Sequence, residues 1–420
     1  IRTTSSGWCG SNTEFMRILF LTQWFQPENF FKGLPFARAL AARGHDVEVL
    51  TGFPNYPGGK LYPGYRIRFY QRDLMDGILV HRVPLYPSHD RSALHRILNY
   101  LSLSLSTLLL GPWLVKKPNV VYVYNLVTLG PPAFLLRLLY GAKVLIDVQD
   151  LWPESVTNSG MLGNSTLLRI LGSICNWVYR CADHLTVLSP GFRKELISRG
   201  VQPEKIDVIY NWCDEDSISS GAHLSDDLRL TDRFVVLYAG AMGLAQGMDT
   251  ILDCARLCAQ SLPDVQFNLI GWGVDRARII KHAEELQLKN VSFLPARPIT
   301  EMGEVFAQAD ALLVHLKDDP LFRITIPSKT QAYLFIGKPL IMAMRGDAAD
   351  LVRESGAGIC CKPGDPQDMM IAIKVLKNMT SVERQKMGKA GHRFYMDRLS
   401  FSQGVNRFER IMKVMVNKAS

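Results

Sequence analysis

Two doubly wound α/β domains with mostly parallel sheets are predicted, on three observations. The chain has 420 residues, too many for one ordinary hydrophobic core. Short apolar, β-branched runs alternate with helical ones from start to finish, the pattern of parallel sheets covered on both faces. A polar stretch rich in Asp and Ser, residues 214–232, divides the runs into two series and reads as a linker.

The elements follow in order. Residues 1–15 are polar and aperiodic, and they read as a remnant outside the fold. The first domain is expected at 16–213, with strands at 18–21, 47–51, 79–83, 120–124, 144–147, 185–188 and 207–209. Helices at 33–43, 166–180 and 190–198 fit between them. The second domain is expected at 233–398, with strands at 234–239, 266–270, 291–294, 311–315, 340–342 and 358–360. A last helical segment, 399–420, is expected to cross back onto the first domain. Ligands of such sheets bind beyond the carboxyl ends of the strands, so the site is expected in a cleft between facing domains. The run 97–115 is strongly apolar but broken by serines and by Gly111-Pro112. It reads as a buried helix, or as a helix dipping into a bilayer surface with Arg91, Arg96, Lys116 and Lys117 at its ends.

Composition narrows the class. With 47% hydrophobic and 21% charged residues the chain is globular, not disordered. The net charge is +9, and residues 16–210 hold 21 Lys/Arg against 13 Asp/Glu. Such asymmetry fits a half that approaches an anionic surface. Without a nucleic-acid motif, a membrane or a phosphate-bearing acceptor ranks above nucleic acid. Eight scattered cysteines form no C-x-x-C pair and read as buried free thiols, which fits a reducing cytosol. No metal-ligand spacing is read, so metal independence is expected.

Five segments carry the chemistry. At 238–249 a strand meets a glycine-rich loop and then a helix start, a place where an anion is welcome; Gly243 lies in it. At 269–275 the same logic recurs without the third glycine of a dinucleotide fingerprint, which argues against an NAD enzyme. At 322–330 the backbone N–H groups of Thr325, Ile326 and Ser328 would meet a diphosphate, with Arg323 and Lys329 adding charge. At 147–155, just past a strand, two or three carboxylates are expected to face the cleft, and Asp150 or Glu154 could orient a hydroxyl or move a proton. In the loop 26–33, Gly33 at a helix start would let phosphates approach.

Together these residues resemble family-4 glycosyltransferases over nearly all of 16–415. Ala41-Ala42-Arg43-Gly44-His45-Asp46-Val47, Tyr210-Asn211-Trp212-Cys213-Asp214, Pro327-Ser328-Lys329 and Gly337-Lys338-Pro339 carry the likeness. Phe53-Pro54-Asn55-Tyr56-Pro57 and the segment from Asp150 to Ser155 look like the branch that builds O-antigen, capsule and related bacterial polysaccharides, N-acetylfucosamine-type transferases included. There are departures. Ala241 and Gln246 stand where the family has Arg and Lys, Ile324 and Ala332 where it has paired glutamates, and Gln149 where it has His.

The resemblance implies a GT-B fold, two Rossmann-like domains facing across a cleft. It implies retaining transfer from a UDP-sugar, such as that of an N-acetylated deoxyhexose, to a polyprenyl-diphosphate-linked saccharide. The base would pack near Arg297, Pro298 and Ile299, the diphosphate between Gly33, Gly243 and the 325–329 turn, and Asp150 and Lys329 would be catalytic. The implied location is cytoplasmic, peripheral on the inner membrane face. A UDP-sugar epimerase and a non-catalytic sugar-nucleotide-binding protein of the same architecture are the rivals.

Overall fold

A computed structural model describes residues 15–28, 30, 32–88, 93–152, 165–219 and 233–418. The chain forms two compact units, one of 1–186, 197–207 and 405–420, the other of 187–196 and 208–404.

The first unit is built on an eight-stranded sheet. Its strands are β1 (Arg17–Leu21), β2 (Asp46–Gly52), β3 (Gln71–Met75), β4 (Ile78–Val83), β5 (Val120–Tyr124), β6 (Lys143–Val148), β7 (His184–Val187) and β8 (Ile206–Val208). Their order is β3-β4-β2-β1-β5-β6-β7-β8. The central strands β1, after Arg17, and β5 are apolar on both faces, and β5 is buried at every position. The sequence missed β3, which pairs antiparallel with β4 at the edge. Its residues alternate between half-buried and exposed, so it carries no apolar run to read. The chain turns from β2 on one side of β1 to β5 on the other. The switch point lies between β1 and β5, where the loops after both leave together.

The second unit carries β9 (Phe234–Ala239), β10 (Val265–Ile270), β11 (Val291–Leu294), β12 (Ala311–His315), β13 (Leu340–Ala343) and β14 (Gly358–Cys360), in the order β11-β10-β9-β12-β13-β14. All their pairings are parallel. The switch point here lies between β9 and β12. Cys254 and Cys258 are free thiols fully buried in the core beneath β9 and β10.

The sequence placed 187–196 with the first half, but they group with the second unit. Ser189 Oγ donates to the Ile324 carbonyl at 2.6 Å, and Gly191 N–H donates to Asp347 at 2.6 Å. The expected linker also begins inside the second unit. The helix Glu215–Ser219 is folded onto it, with Glu215 accepting from the Tyr395 hydroxyl and the Phe401 N–H, both at 2.7 Å. From Val405 onward the last helix, Phe401–Asn417, belongs to the first unit. The Arg-Gly-His turn seats it: Arg43 donates to Glu409 at 2.6 Å. His45, whose Nδ1 accepts from Met16 N–H, donates to the same carboxylate at 3.1 Å.

Candidate active site

In the first unit the polar centre is Asp147, the fifth residue of β6. It does not face a cleft; it is fully buried. Its carboxylate accepts from Lys32 at 2.7 Å, the Tyr122 hydroxyl at 2.8 Å, and Thr186 and Gln149 at 2.9 Å each. Burial pulls the Lys32 ammonium below the usual lysine range, and the Asp147 charge pushes back. The pair thus ties the loop after β1 to the end of β6, across the switch point.

Asp150 is exposed three residues on. Asn125, at the end of β5, holds it at both ends: its amide donates to Asp150 Oδ2 at 2.9 Å, and its carbonyl oxygen accepts from Asp150 N–H at 3.0 Å. Asn125 sits at φ 63°, a left-handed conformation that Asn tolerates better than most residues. The sequence reading passed over Asn125; an Asn directly after an apolar strand was the available signal. Gln149, in the place of the family's His, is spent on Asp147. Glu154 lies outside the described residues.

Aromatic rings gather at this end of the sheet. Trp24 stacks on Phe30 with centroids 5.3 Å apart, and Phe30 lies 5.5 Å from Tyr56. Burial raises the Tyr56 and Tyr100 phenols; the Asp150 charge adds to both, while Arg96 lowers Tyr100. Glu28 fastens the Phe-Pro-Asn-Tyr-Pro segment beneath them, accepting from the Asn55 and Tyr56 N–H groups at 2.7 Å each. Gly33 is placed otherwise than expected. The space of its missing Cβ is filled by the Gln26 side chain and the Phe30 carbonyl. Gln26 also accepts from Leu34 N–H at 2.7 Å, so this helix start is capped from within.

If Asp150 meets the acceptor hydroxyl, Asp150→Ala should lower kcat about a thousandfold, while Asn125→Ala lowers it about tenfold with donor KM little changed. Steady-state kinetics on the folded variants checks this; equal, full activity in both would remove Asp150 from the mechanism.

In the second unit the glycine loop after β9 and the loop after β12 leave the switch point side by side. Lys317 N–H donates to the Ala245 carbonyl at 3.0 Å. Gly271 and Gly273 let the loop after β10 lie against the first of these, since a Cβ on either would strike the Gly240 or Met242 carbonyl. Met242 N–H donates to the Trp272 carbonyl at 2.8 Å. Gly243 N–H is engaged by the Gln246 side chain at 2.9 Å, so this loop presents fewer open donors than the sequence suggested.

Lys329 is in the first turn of the helix Ser328–Ile336. Its amine is enclosed against the Tyr238 ring, 3.6 Å from the centroid, beside Gly240. It has no hydrogen-bond partner, and burial pushes it down to about 7. His315, at the end of β12, is held neutral nearby. Its Nδ1 donates to the Gln246 carbonyl at 2.6 Å and its Nε2 accepts from Gly364 N–H at 3.2 Å. Burial lowers its basicity and the Lys329 charge lowers it further.

The remaining predicted residues divide. Thr325, Ile326 and Ser328 lie on the turn that leads into the Lys329 helix; the Thr325 hydroxyl donates to the Leu321 carbonyl at 2.8 Å, Ile326 is buried and Ser328 is exposed. Arg323 is partly neutralised by Asp318 at 3.0 Å. Arg297 and Ile299 follow β11 at the sheet edge, where Arg297 pairs with Glu301 at 2.8 Å. In place of the family's glutamates, Ile324 packs on Gly191 and Ala332 is buried.

Residues 34–212 match the family model described as "Glycosyl transferase 4-like domain", and residues 224–394 match "Glycosyl transferases group 1". The chain is a glycosyltransferase of GT-B architecture, of the group 1, family-4-like kind. It is 25% identical to the putative colanic acid biosynthesis glycosyl transferase WcaI of Escherichia coli (strain K12), across 80% of this chain and 85% of that protein. It is 26% identical to the probable glycosyltransferase WbjE of Pseudomonas aeruginosa, across 55% of this chain and 59% of that one. Its fold is shared with Anabaena HepE in complex with UDP, at TM-score 0.65 and 17% identity over 95% of this chain and 100% of that one. The α,α-trehalose 6-phosphate synthase of Burkholderia multivorans shares it too, at TM-score 0.70 and 14% identity over 96% and 100%.

Proposed function

We propose that this glycosyltransferase moves a sugar, with retention of configuration, from a UDP-sugar to a polyprenyl-diphosphate-linked saccharide in bacterial surface-polysaccharide synthesis, at the inner membrane face. One observation carries the reading: the enclosed, partnerless amine of Lys329 beside the glycine loop at a switch point. A buried ammonium without a counter-charge is costly, and an anionic ligand removes that cost. In a glycosyltransferase the anion that arrives there is the diphosphate of the donor. The name of WcaI, a putative colanic acid biosynthesis glycosyl transferase, supports a polysaccharide product, and HepE, solved with UDP and glucose, supports UDP as the carrier.

In this reading Lys329 stabilises the charge that grows on the leaving phosphate, a fixed donor in a dry setting. The N–H groups of Thr325, Ile326 and Ser328, with Gly243 and Arg323, are the further donors to the diphosphate in this reading. In the same reading Arg297 and Ile299 border the base. Asp150 orients the acceptor hydroxyl, the leaving phosphate takes its proton, and the Trp24, Phe30 and Tyr56 rings offer faces for the acceptor sugars. Lys329 supplies the counter-charge, so transfer should persist with a chelator present.

The test is thermal stabilisation by UDP, GDP, ADP, NAD and UDP-sugars across a range of pH. A UDP-sugar keeps both phosphates charged throughout, so the titrating group is Lys329. Its free value near 7 rises when the diphosphate binds, so binding takes up a proton. Affinity should be full below pH 7 and fall by up to about tenfold per unit above it, until the bound-state value is passed. A response to UDP-sugars that is flat with pH would remove Lys329 from the site. A response to NAD and not to UDP would sink the transferase reading.

A further inference from the structure

We infer that the exposed face of the helix Ala93–Leu114 docks this protein on an anionic phospholipid bilayer, lying in the plane of the surface rather than crossing it. The inference deepens the acceptor half of the reading above and rests on it. The helix is long and apolar enough to cross a membrane. It is nevertheless fastened along one side. Asn99, Leu103 and Thr107 are each 1% exposed. The Asn99 amide donates to the Tyr86 carbonyl at 2.7 Å, and its oxygen accepts from Gln23. At 100° per residue the opposite side carries Leu94, Leu98, Leu101, Leu105 and Leu109, with Trp113 at its margin. All six are exposed, Trp113 by 87%. Of the two sequence readings of 97–115, the fully buried helix is thereby corrected: one side is buried and the other is exposed.

Two more helices extend the apolar surface. Gly130–Tyr140 packs beside the first, with the Tyr140 hydroxyl donating to the Pro112 carbonyl at 2.6 Å. Ser165–Cys181 packs beside the second, with Phe134 and Trp177 centroids 5.5 Å apart. These leave Leu138 and Leu139, then Ile170, Ile174 and Trp177, exposed in turn. Patches of this kind on a water-soluble surface mark an interaction site.

Charge selects the partner. No Asp or Glu occurs in any of the three helices, whereas Arg96, Arg137, Arg169 and Arg180 do, and Lys116 and Lys117 follow the first at once. Arg96 lies on the covered side, Lys116 is paired with Asp46 and Glu48, and Arg137 lies 3.7 Å from Asp183. The three helices themselves still carry only positive charge, with Arg169 and Lys117 exposed, and such an apolar face suits a bilayer with negative headgroups, where leucine and tryptophan enter the acyl boundary and cations meet phosphates. A second copy of the chain would bring the same positive charges against themselves.

The test is co-flotation of the full chain with phosphatidylcholine vesicles and with vesicles in which phosphatidylglycerol replaces part of it. Leu101→Glu/Leu105→Glu is the variant; both sites are exposed, and a melting temperature equal to wild type verifies its fold. Wild type should float with the phosphatidylglycerol vesicles, less so in high salt, and the variant should partition roughly tenfold less or weaker still. Flotation of both proteins alike, or of neither, overturns the inference. A wild-type dimer in solution that the variant dissolves would also overturn it and give the face to a second copy. UDP-sugar stabilisation is read on the same samples. Its loss in both proteins sinks the transferase reading, while its retention in a variant that no longer floats separates docking from donor binding.

Discussion

Lys329→Met should abolish sugar transfer and at the same time raise the melting temperature of the ligand-free protein. Both effects come from one atom. The Lys329 amine is enclosed, touches the Tyr238 ring and has no hydrogen-bond partner. Burial pulls it from 10.5 to about 7. In the unfolded chain the same amine holds its proton up to its ordinary value. Between the two values the unfolded state binds more protons, so stability rises with pH there. The deficit is therefore complete below pH 7 and gone near pH 10.5. Methionine is close in length and has no charge to desolvate. It should stabilise the fold by on the order of 2 kcal/mol at pH 6.5 and by little at pH 10. Thermal scans at both values, beside a transfer assay, check this. A variant that is less stable at pH 6.5 would show that the amine is satisfied without ligand.

The second large effect is on stability. Asp147→Ala should destabilise the first unit by roughly 3–5 kcal/mol, the loss typical of breaking a buried pair from one side. Lys32, fully buried, would lose its carboxylate, and Tyr122, Thr186 and Gln149 would lose their acceptor. Lys32→Met/Asp147→Ala should recover part of the loss, because no unmatched charge is left behind. The melting temperatures of the three variants test it. If the double variant is no more stable than Asp147→Ala alone, the Lys32 charge is not the source of the cost. Donor stabilisation by UDP-sugars should survive in whatever fraction remains folded, since Asp147 lies in the first unit and Lys329 in the second.

These predictions concern residues of unequal visibility. Lys329 and Asp150 stood out in the sequence because each lies just beyond a strand or at a helix start, where backbone geometry repeats from protein to protein. Asp147 also stood out, but in the wrong role. Sequence shows that it is the fifth residue of a strand, not that Lys32, 115 residues earlier, lies against it. Gly33 was misplaced for a similar reason. A glycine at a helix start signals a close approach, and here what approaches is Gln26 and the Phe30 carbonyl. Asn125 and His315 were passed over because their roles rest on hydrogen bonds to Asp150, Gln246 and Gly364 across loops.

By itself the sequence determined the class and most of the elements, because doubly buried parallel strands must be apolar runs and the helices between them follow a different period. It also showed that the run 97–115 is apolar. Only the tertiary structure decided which side of that helix is covered, that 187–196 group with the second unit, and that the Lys329 amine is shut away without a partner. Periodicity and propensity are local, and they are written along the chain. Burial and pairing depend on which distant segments fold against a residue, and those contacts exist only once the fold is complete.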